Sequence, residues 1–400
     1  MISYTFYLIY LFNKIDGNIY YGQYILLGSV LSVVSSFTGV SSSEGVVYFL
    51  SKENINKKKI LLWSFLLDLF FCATLLIFIF FSKSYISIFI DDIDFLIIIL
   101  FGLKIIFKNI RNSLTGLWQY ENKFKFIYVF NLIENLFLFF TIIYIDLFKK
   151  AFSLIALVNV ELIVSLSFAF IYFSFYLNKI RKMKSSKNKQ KISLRYFFQY
   201  NLKLFISRSI KSGNQKIDNI ILGAMLSTSE VAIYDKIKKI FLPINLMVNP
   251  FREIYLTKIL KLSRLKRFDL IKLEIINSSK IIFIITLILI FMILIFKYQI
   301  FNVLIIENHN DNNMIFYSLV FVALYTASFW WVRLISNTFN PNISIKANLI
   351  STLLLLSISP ILIYFFGFKG LGFSLIINFL ILAFFWFLNF KIYVIKKDSY

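Results

Sequence analysis

Apolar runs of roughly twenty residues recur along this 400-residue chain, separated by short loops rich in Lys and Asn. A run of that length crosses the hydrocarbon core of a bilayer as one helix. Only helices and closed barrels satisfy every backbone N–H and C=O inside lipid, and continuous apolar runs without strict alternation select the helix. The composition agrees, with 59% hydrophobic and 16% charged residues, where soluble domains are about half apolar and a quarter charged. The usual conversion of length into soluble domains therefore does not apply.

The spans read as about 1–12, 20–50, 60–82, 95–118, 126–147, 152–177, 196–225, 230–257, 274–297, 314–339, 347–366 and 370–391. The net charge of +23 would suggest nucleic acid in a soluble protein, but here the charge sorts by loop. Alternate loops (51–59, 119–125, 178–195, 258–273, 340–346 and the C-terminal tail) hold about 24 Lys and Arg, and the opposite loops hold about six plus the cluster Asp91, Asp92, Asp94. The positive-inside rule places both termini and the central loop in the cytoplasm, and no nucleic-acid partner is expected. The expected fold is an all-α polytopic membrane helix bundle of about twelve transmembrane helices. The first is read as truncated, because 1–12 is apolar yet lacks the basic start and small-residue cleavage site of a signal peptide.

The stretch 179–195 carries Arg181, Lys182, Lys184, Lys187, Lys189 and Lys191 without an acidic residue. It reads as a basic cytoplasmic linker between an N-terminal six-helix half (1–178) and a C-terminal six-helix half (196–400), with some attraction for anionic lipid. The halves show weak repetition. Tyr21-Gly22-Gln23-Tyr24 opens span two and Val231-Ala232-Ile233-Tyr234 opens span eight; Arg111 precedes Asn112 and Gly116 in span four, and Arg333 precedes Asn337 and Asn340 in span ten. Gly367, Gly370 and Gly372 at the start of span twelve resemble the tight outer turns of a known transporter family. Pseudo-repeated halves predict a central cavity at their interface.

Chemistry-bearing residues inside the spans are few. Span four presents Lys104, Lys108 and Arg111 at steps of four and three, one face of a helix. Span seven presents Arg208, Lys211, Gln215 and Asp218 in the same way. A cation in lipid costs several kcal/mol, and snorkelling relieves it only near helix ends, so the stripes predict a cationic cavity for an anionic cargo, with Arg333 at its cytoplasmic side. Glu44, Glu134, Glu161 and Asp218 are either proton carriers or counter-ions to these cations; Asp68 lies near a span end. Trp330 and Trp331 read as interfacial anchors in preference to sugar-stacking surfaces. Cys72 and His309 are the only residues of their types, so neither a disulfide framework nor a Cys/His metal site is expected, nor any cofactor, and no hydrolase triad or phosphate loop is visible.

The run Ile217-Asp218-Asn219-Ile220-Ile221-Leu222-Gly223, followed by Glu230-Val231-Ala232-Ile233-Tyr234, resembles the hallmark around spans seven and eight of Wzx-type O-antigen flippases. These belong to the multidrug/oligosaccharidyl-lipid/polysaccharide exporter superfamily. Tyr21-Gly22-Gln23-Tyr24 is similar to that family's first outer turn, although the family mostly has Gly where Ala232 stands. The resemblance implies a protein of the bacterial inner membrane that is not an enzyme. It implies export of an undecaprenyl-pyrophosphate-linked oligosaccharide for O-antigen, lipopolysaccharide or capsule, with membrane lipid and other polysaccharide assembly proteins as partners. Phosphate suits Lys and Arg pairing, and alternating access needs no covalent step. Two alternatives follow from the same residues. A multidrug exporter of the superfamily would favour an acidic cavity. A polytopic polymerase or glycosyltransferase would use outer acidic residues such as Asp92 and Asp94, but the outer loops are short.

Overall fold

A computed structural model describes residues 2–15, 18–38, 42–50, 56–81, 94–121, 123–148, 153–183, 193–214, 216–244, 247–248, 255, 259, 262, 267–307, 310–332, 341–390 and 392. Every regular element among these residues is a helix. The chain divides into two compact units, Met1–Lys216 and Ile217–Tyr400. Among the described residues, seven helices have the length and hydropathy to cross a membrane unaided. On them, large side chains such as Phe80, Phe81, Phe140, Tyr364 and Phe365 stand exposed. Apolar surface on that scale is rare in soluble monomers; here it is the lipid face of a polytopic membrane protein.

The first unit contains α1 (Ile2–Ile15), α2 (Asn18–Thr38), α3 (Ser42–Leu50), α4 (Lys57–Phe81), α5 (Phe95–Asn109), α6 (Asn112–Tyr120), α7 (Phe124–Phe148), α8 (Leu154–Lys182) and α9 (Leu194–Asn214). Three spans expected as single long helices, 20–50, 95–118 and 196–225, are each described as two helices. At the second break Ile110 and Arg111 keep right-handed backbone angles, and the new helix start is stabilised from outside. Ser113 donates its backbone N–H to Asp68 on α4 at 3.1 Å, and its hydroxyl donates to the same carboxylate oxygen. A carboxylate at a helix N-terminus satisfies orphan donors and meets the positive end of the dipole, which accounts for a buried Asp68. Gly116 has a reason of its own: a Cβ there would sit 2.5 Å from the Ser43 carbonyl oxygen, so its absence lets α6 lie directly on α3.

The core of this unit gathers Phe49, Leu61, Leu117, Trp118, Phe168, Tyr172 and Phe197. Phe197 belongs to α9, which the sequence assigned to the second half. Stacking of Tyr200 on Tyr48 at 4.1 Å and a tilted contact of Phe197 with Phe49 at 5.0 Å hold α9 on α3. The boundary between compact units therefore falls after Lys216, about one helix beyond the expected linker at 179–195; residues 184–192 of that linker lie outside the described residues.

The second unit contains α10 (Ile217–Met225), α11 (Thr228–Ile240), α12 (Phe268–Ile295), α13 (Lys297–Leu304), α14 (Asn310–Ser328), α15 (Pro341–Phe366) and α16 (Phe368–Phe390). Helices α14, α15 and α16 pack together, and α10 packs on α15. The tight turn expected at Gly367 is present. Its φ of 58° is the left-handed conformation that glycine adopts freely, and its N–H bonds back to Ile363 O at 2.8 Å. Trp330 and Trp331 are corrected from interfacial anchors to core residues. They are 0% and 7% exposed within an apolar cluster with Trp386, and the Trp330 indole donates to Ser279 at 2.8 Å.

Candidate functional site

Helix α5 starts where Asp94 caps it, its carboxylate accepting from Leu96 N at 3.0 Å. Packing of Ile97, Phe101, Gly102 and Ile106 buries one face of the helix and sets where Lys104 and Lys108 project. Lys104 donates to Glu161 of α8 at 2.6 Å. The same carboxylate accepts the hydroxyls of Tyr4 from α1 at 2.5 Å and of Tyr24 from α2 at 2.8 Å. The Lys104 ammonium also lies 4.1 Å from the Phe101 ring centroid, a cation–π contact. One carboxylate thus joins four helices.

Arg111, at the junction of α5 and α6, binds Glu134 of α7 through two parallel contacts of 2.7 and 3.0 Å. Its guanidinium faces the Tyr172 ring at 5.3 Å. Fork-to-fork geometry of this kind is the strongest ordinary ion pair. Lys108 lies between the two pairs in sequence and differs from both neighbours. Its side chain is exposed, and among the described residues it has no carboxylate within ion-pair distance. The stripe therefore consists of two ends paired with Glu161 and Glu134, two of the carboxylates weighed as counter-ions, around one open ammonium.

The span-seven stripe is not continuous. Arg208 and Lys211 belong to α9, and Asp218 opens α10 beyond the break. The side chains of Arg208 and Lys211, all of Gln215 and all of Arg333 lie outside the described residues, as does the Glu44 side chain on α3. Asp218 is buried at the start of α10. It accepts the Tyr234 hydroxyl at 2.5 Å and the Lys238 ammonium at 2.5 Å, both from α11. Tyr4, Tyr234 and Lys238 were not singled out as site residues from the sequence. The available signal was the shared tyrosine of the two repeated signatures, since Tyr24 and Tyr234 each donate to a buried carboxylate. In α11, Glu230 has a local role: its backbone N–H and its carboxylate both meet the Ser227 hydroxyl, closing a helix-start motif related to the capping box.

The loops expected on one side of the membrane meet at one end of the first unit. Lys57 donates to the Tyr120 hydroxyl at 2.6 Å, and Lys179 reaches Glu121 at 2.6 Å. Lys14 meets Asp146 at 3.0 Å, joining two ends expected on the opposite side. Glu121 is held below the ordinary carboxylate range: burial pushes its carboxyl up, but hydrogen bonds and charge from Lys123 and Lys179 outweigh that. Asp94, one of the outer acidic residues considered for catalysis, serves as a helix cap. Among the described residues no three or more His, Cys, Asp or Glu side chains assemble as a metal centre.

Comparison with known structures places the fold. The chain is similar to a multidrug resistance MATE family transporter of the MOP superfamily in an inward-facing conformation, with TM-score 0.76, 12% identity, and coverage of 94% of this chain and 90% of that one. It is also similar to the lipid II flippase MurJ in an inward closed conformation, with TM-score 0.71, 16% identity, and coverage of 99% and 86%. No curated protein sequence matches. At these identities the likeness is one of fold: a polytopic helical transporter architecture. The family described as polysaccharide biosynthesis protein matches residues 3–254, more than half of the chain, which therefore belongs to that family.

Proposed function

We propose that this protein moves a polyprenyl-pyrophosphate-linked oligosaccharide repeat unit across the bacterial inner membrane by alternating access, for assembly of O-antigen or capsule. Both termini face the cytoplasm in this reading. The observation that carries it is the electrostatic pattern of α5 and its junction with α6: Lys104 and Arg111 are neutralised by Glu161 and Glu134, and Lys108, an accessible residue, has no carboxylate within ion-pair distance among the described residues. An ammonium with no carboxylate within ion-pair distance, flanked by two cations that are already paired, suits a phosphate oxygen. Membership of a polysaccharide biosynthesis family supplies the sugar-bearing class of cargo, and the lipid-facing helices supply a route for its prenyl tail. Arg208 and Lys211, one turn apart on α9, are assigned to the same cargo, as are Gln215 and Arg333. Glu134, Glu161 and Asp218 balance charge, and Glu44 is grouped with them. A multidrug exporter is disfavoured because the open charge on α5 is cationic.

The test is export in a strain lacking the protein, read as radiolabelled lipid-linked repeat units retained on the cytoplasmic face. Loss of one charge-assisted contact is worth about 1.5–3 kcal/mol. Lys108→Ala is therefore expected to reduce export by about 10- to 100-fold at unchanged protein level, and Lys108→Arg to keep most of it. Normal export by well-expressed Lys108→Ala overturns the assignment. The topology is checked separately by reporter fusions, with cytoplasmic signals expected at Lys187 and at the C-terminal tail and a periplasmic signal at Asp92.

A further inference from the structure

At the end of the first unit where α6, α7 and α8 meet, a cleft of about 180 Å³ opens between Trp118, Phe126, Phe130 and Phe175, with Leu114 and Leu117 behind them. The rings form a connected wall: Trp118 stacks on Phe130 at 5.4 Å, and Phe175 meets Phe130 edge-on at 5.9 Å. The mouth is polar. Lys123 and Lys179 grip opposite oxygens of Glu121 at 2.8 and 2.6 Å. An ammonium has three donors, and among the described residues neither lysine meets a second carboxylate. Glu121 thus fixes two ammonium groups side by side and leaves donors on each. Lys125, Arg181 and Lys182 stand exposed close by in the chain, so cations outnumber the single carboxylate at this mouth.

The apolar wall and the cationic mouth lie at the right levels for one molecule. Helices α7 and α8 are both long enough to cross the membrane, and the cleft lies where both reach their basic loops, the depth at which an acyl chain meets its headgroup. We propose that this cleft is a binding site for an anionic glycerophospholipid. An acyl-chain segment lies against Trp118 and Phe130, and the headgroup phosphate bridges Lys123 and Lys179. The site is separate from the cargo residues of α5, so it stands or falls independently of the export reading. Juxtamembrane cations attract anionic lipid by about 1 kcal/mol each; the aromatic cleft adds a defined seat.

Trp118 is a built-in probe. The full-length protein is placed in nanodiscs of zwitterionic phospholipid carrying increasing fractions of a brominated phospholipid, either anionic or zwitterionic, since bromine quenches tryptophan on contact. Subtracting the curve of a Trp118→Phe variant isolates the signal from this cleft. The expected result is half-maximal quenching at an at least about fivefold lower mole fraction of the anionic lipid. That preference is lost in Lys123→Gln/Lys179→Gln and retained in Lys123→Arg/Lys179→Arg, and quenching by the zwitterionic lipid in all variants shows that the cleft is intact. Equal curves for the two lipids reduce the cleft to ordinary boundary lipid and overturn the proposal, as does absence of any Trp118 quenching. Displacement by unlabelled polyprenyl phosphate at lower fractions than by unlabelled anionic phospholipid also overturns it, by assigning the seat to a prenyl chain. Loss of the preference in millimolar inorganic phosphate overturns it in favour of a free anion.

Discussion

In the first unit Glu161 is held by hydroxyls from α1 and α2 and an ammonium from α5, while it sits itself on α8. In the second unit Asp218 is held, among the described residues, by a hydroxyl and an ammonium that both come from α11, the helix immediately after its own. The groups are the same, a carboxylate with tyrosine and lysine, and the signature tyrosines Tyr24 and Tyr234 hold equivalent chemical positions. The reach differs. Glu161 closes contacts 57 to 157 residues apart in the chain, and Asp218 closes contacts 16 and 20 apart. Burial differs too: the Lys104 side chain is 17% exposed and that of Lys238 37%. The first cluster is a tertiary lock, and the second is a clasp within one helical hairpin.

Removing one member of a buried pair strands the other, which costs about 3–5 kcal/mol. Glu161→Ala is therefore expected to give the larger loss of thermal stability in detergent, and to loosen α1, α2, α5 and α8 together. The double variant Glu161→Ala/Lys104→Ala should recover part of that loss, because no unpaired charge remains. A Glu161→Ala protein as stable as Asp218→Ala would erase the distinction between lock and clasp.

For Asp218 the expected cost is about 1–2 kcal/mol, since a partly exposed Lys238 can turn to solvent. Asp218→Asn keeps an acceptor for Tyr234 and should leave export near normal at matched protein level. Complete loss of export with intact stability would make the carboxylate a titrating group of the transport cycle and end the counter-ion reading.

How far these clusters were legible in the sequence follows from their reach. Apolar run length and loop charge were enough for a polytopic helical membrane protein, because membrane insertion is decided by local composition. The spacing of Lys104 and Lys108 is that of neighbours on one helix, because helical periodicity is local as well, whereas Arg111 falls at the break after α5. Which of the three is neutralised was not legible, since Glu134 and Glu161 reach them from helices 23 and 57 residues away. The break at Ile110 was hidden for the same reason. Its stabilising group, Asp68, comes from α4, and 109–112 contains neither Pro nor Gly to announce it. The assignment of α9 to the first unit rests on aromatic stacking with α3, which no window of the sequence contains.

Glu121 sharpens the comparison from the opposite limit, because it is also gripped by two groups but at a water-facing end. If burial sets the magnitude, and not the number of partners, its pairs behave as surface ion pairs worth about 0.2–1 kcal/mol. The sign of the pH dependence follows from its depressed carboxyl. The folded protein holds Glu121 ionised below the pH at which the unfolded chain takes up a proton, so the contribution is fully present above the ordinary carboxylate pKa of about 4.3. It fades as pH falls through the lower folded value. Glu121→Gln is therefore expected to melt slightly below the parent protein at pH 7, with the gap unchanged at pH 6 and closing toward pH 3. Added salt should narrow the gap at pH 7, as it does for exposed pairs. A gap as large as that of Asp218→Ala, or one insensitive to salt, would mean that the mouth of the cleft is drier than its exposure indicates, and would move Glu121 from the surface class to that of the buried clasp.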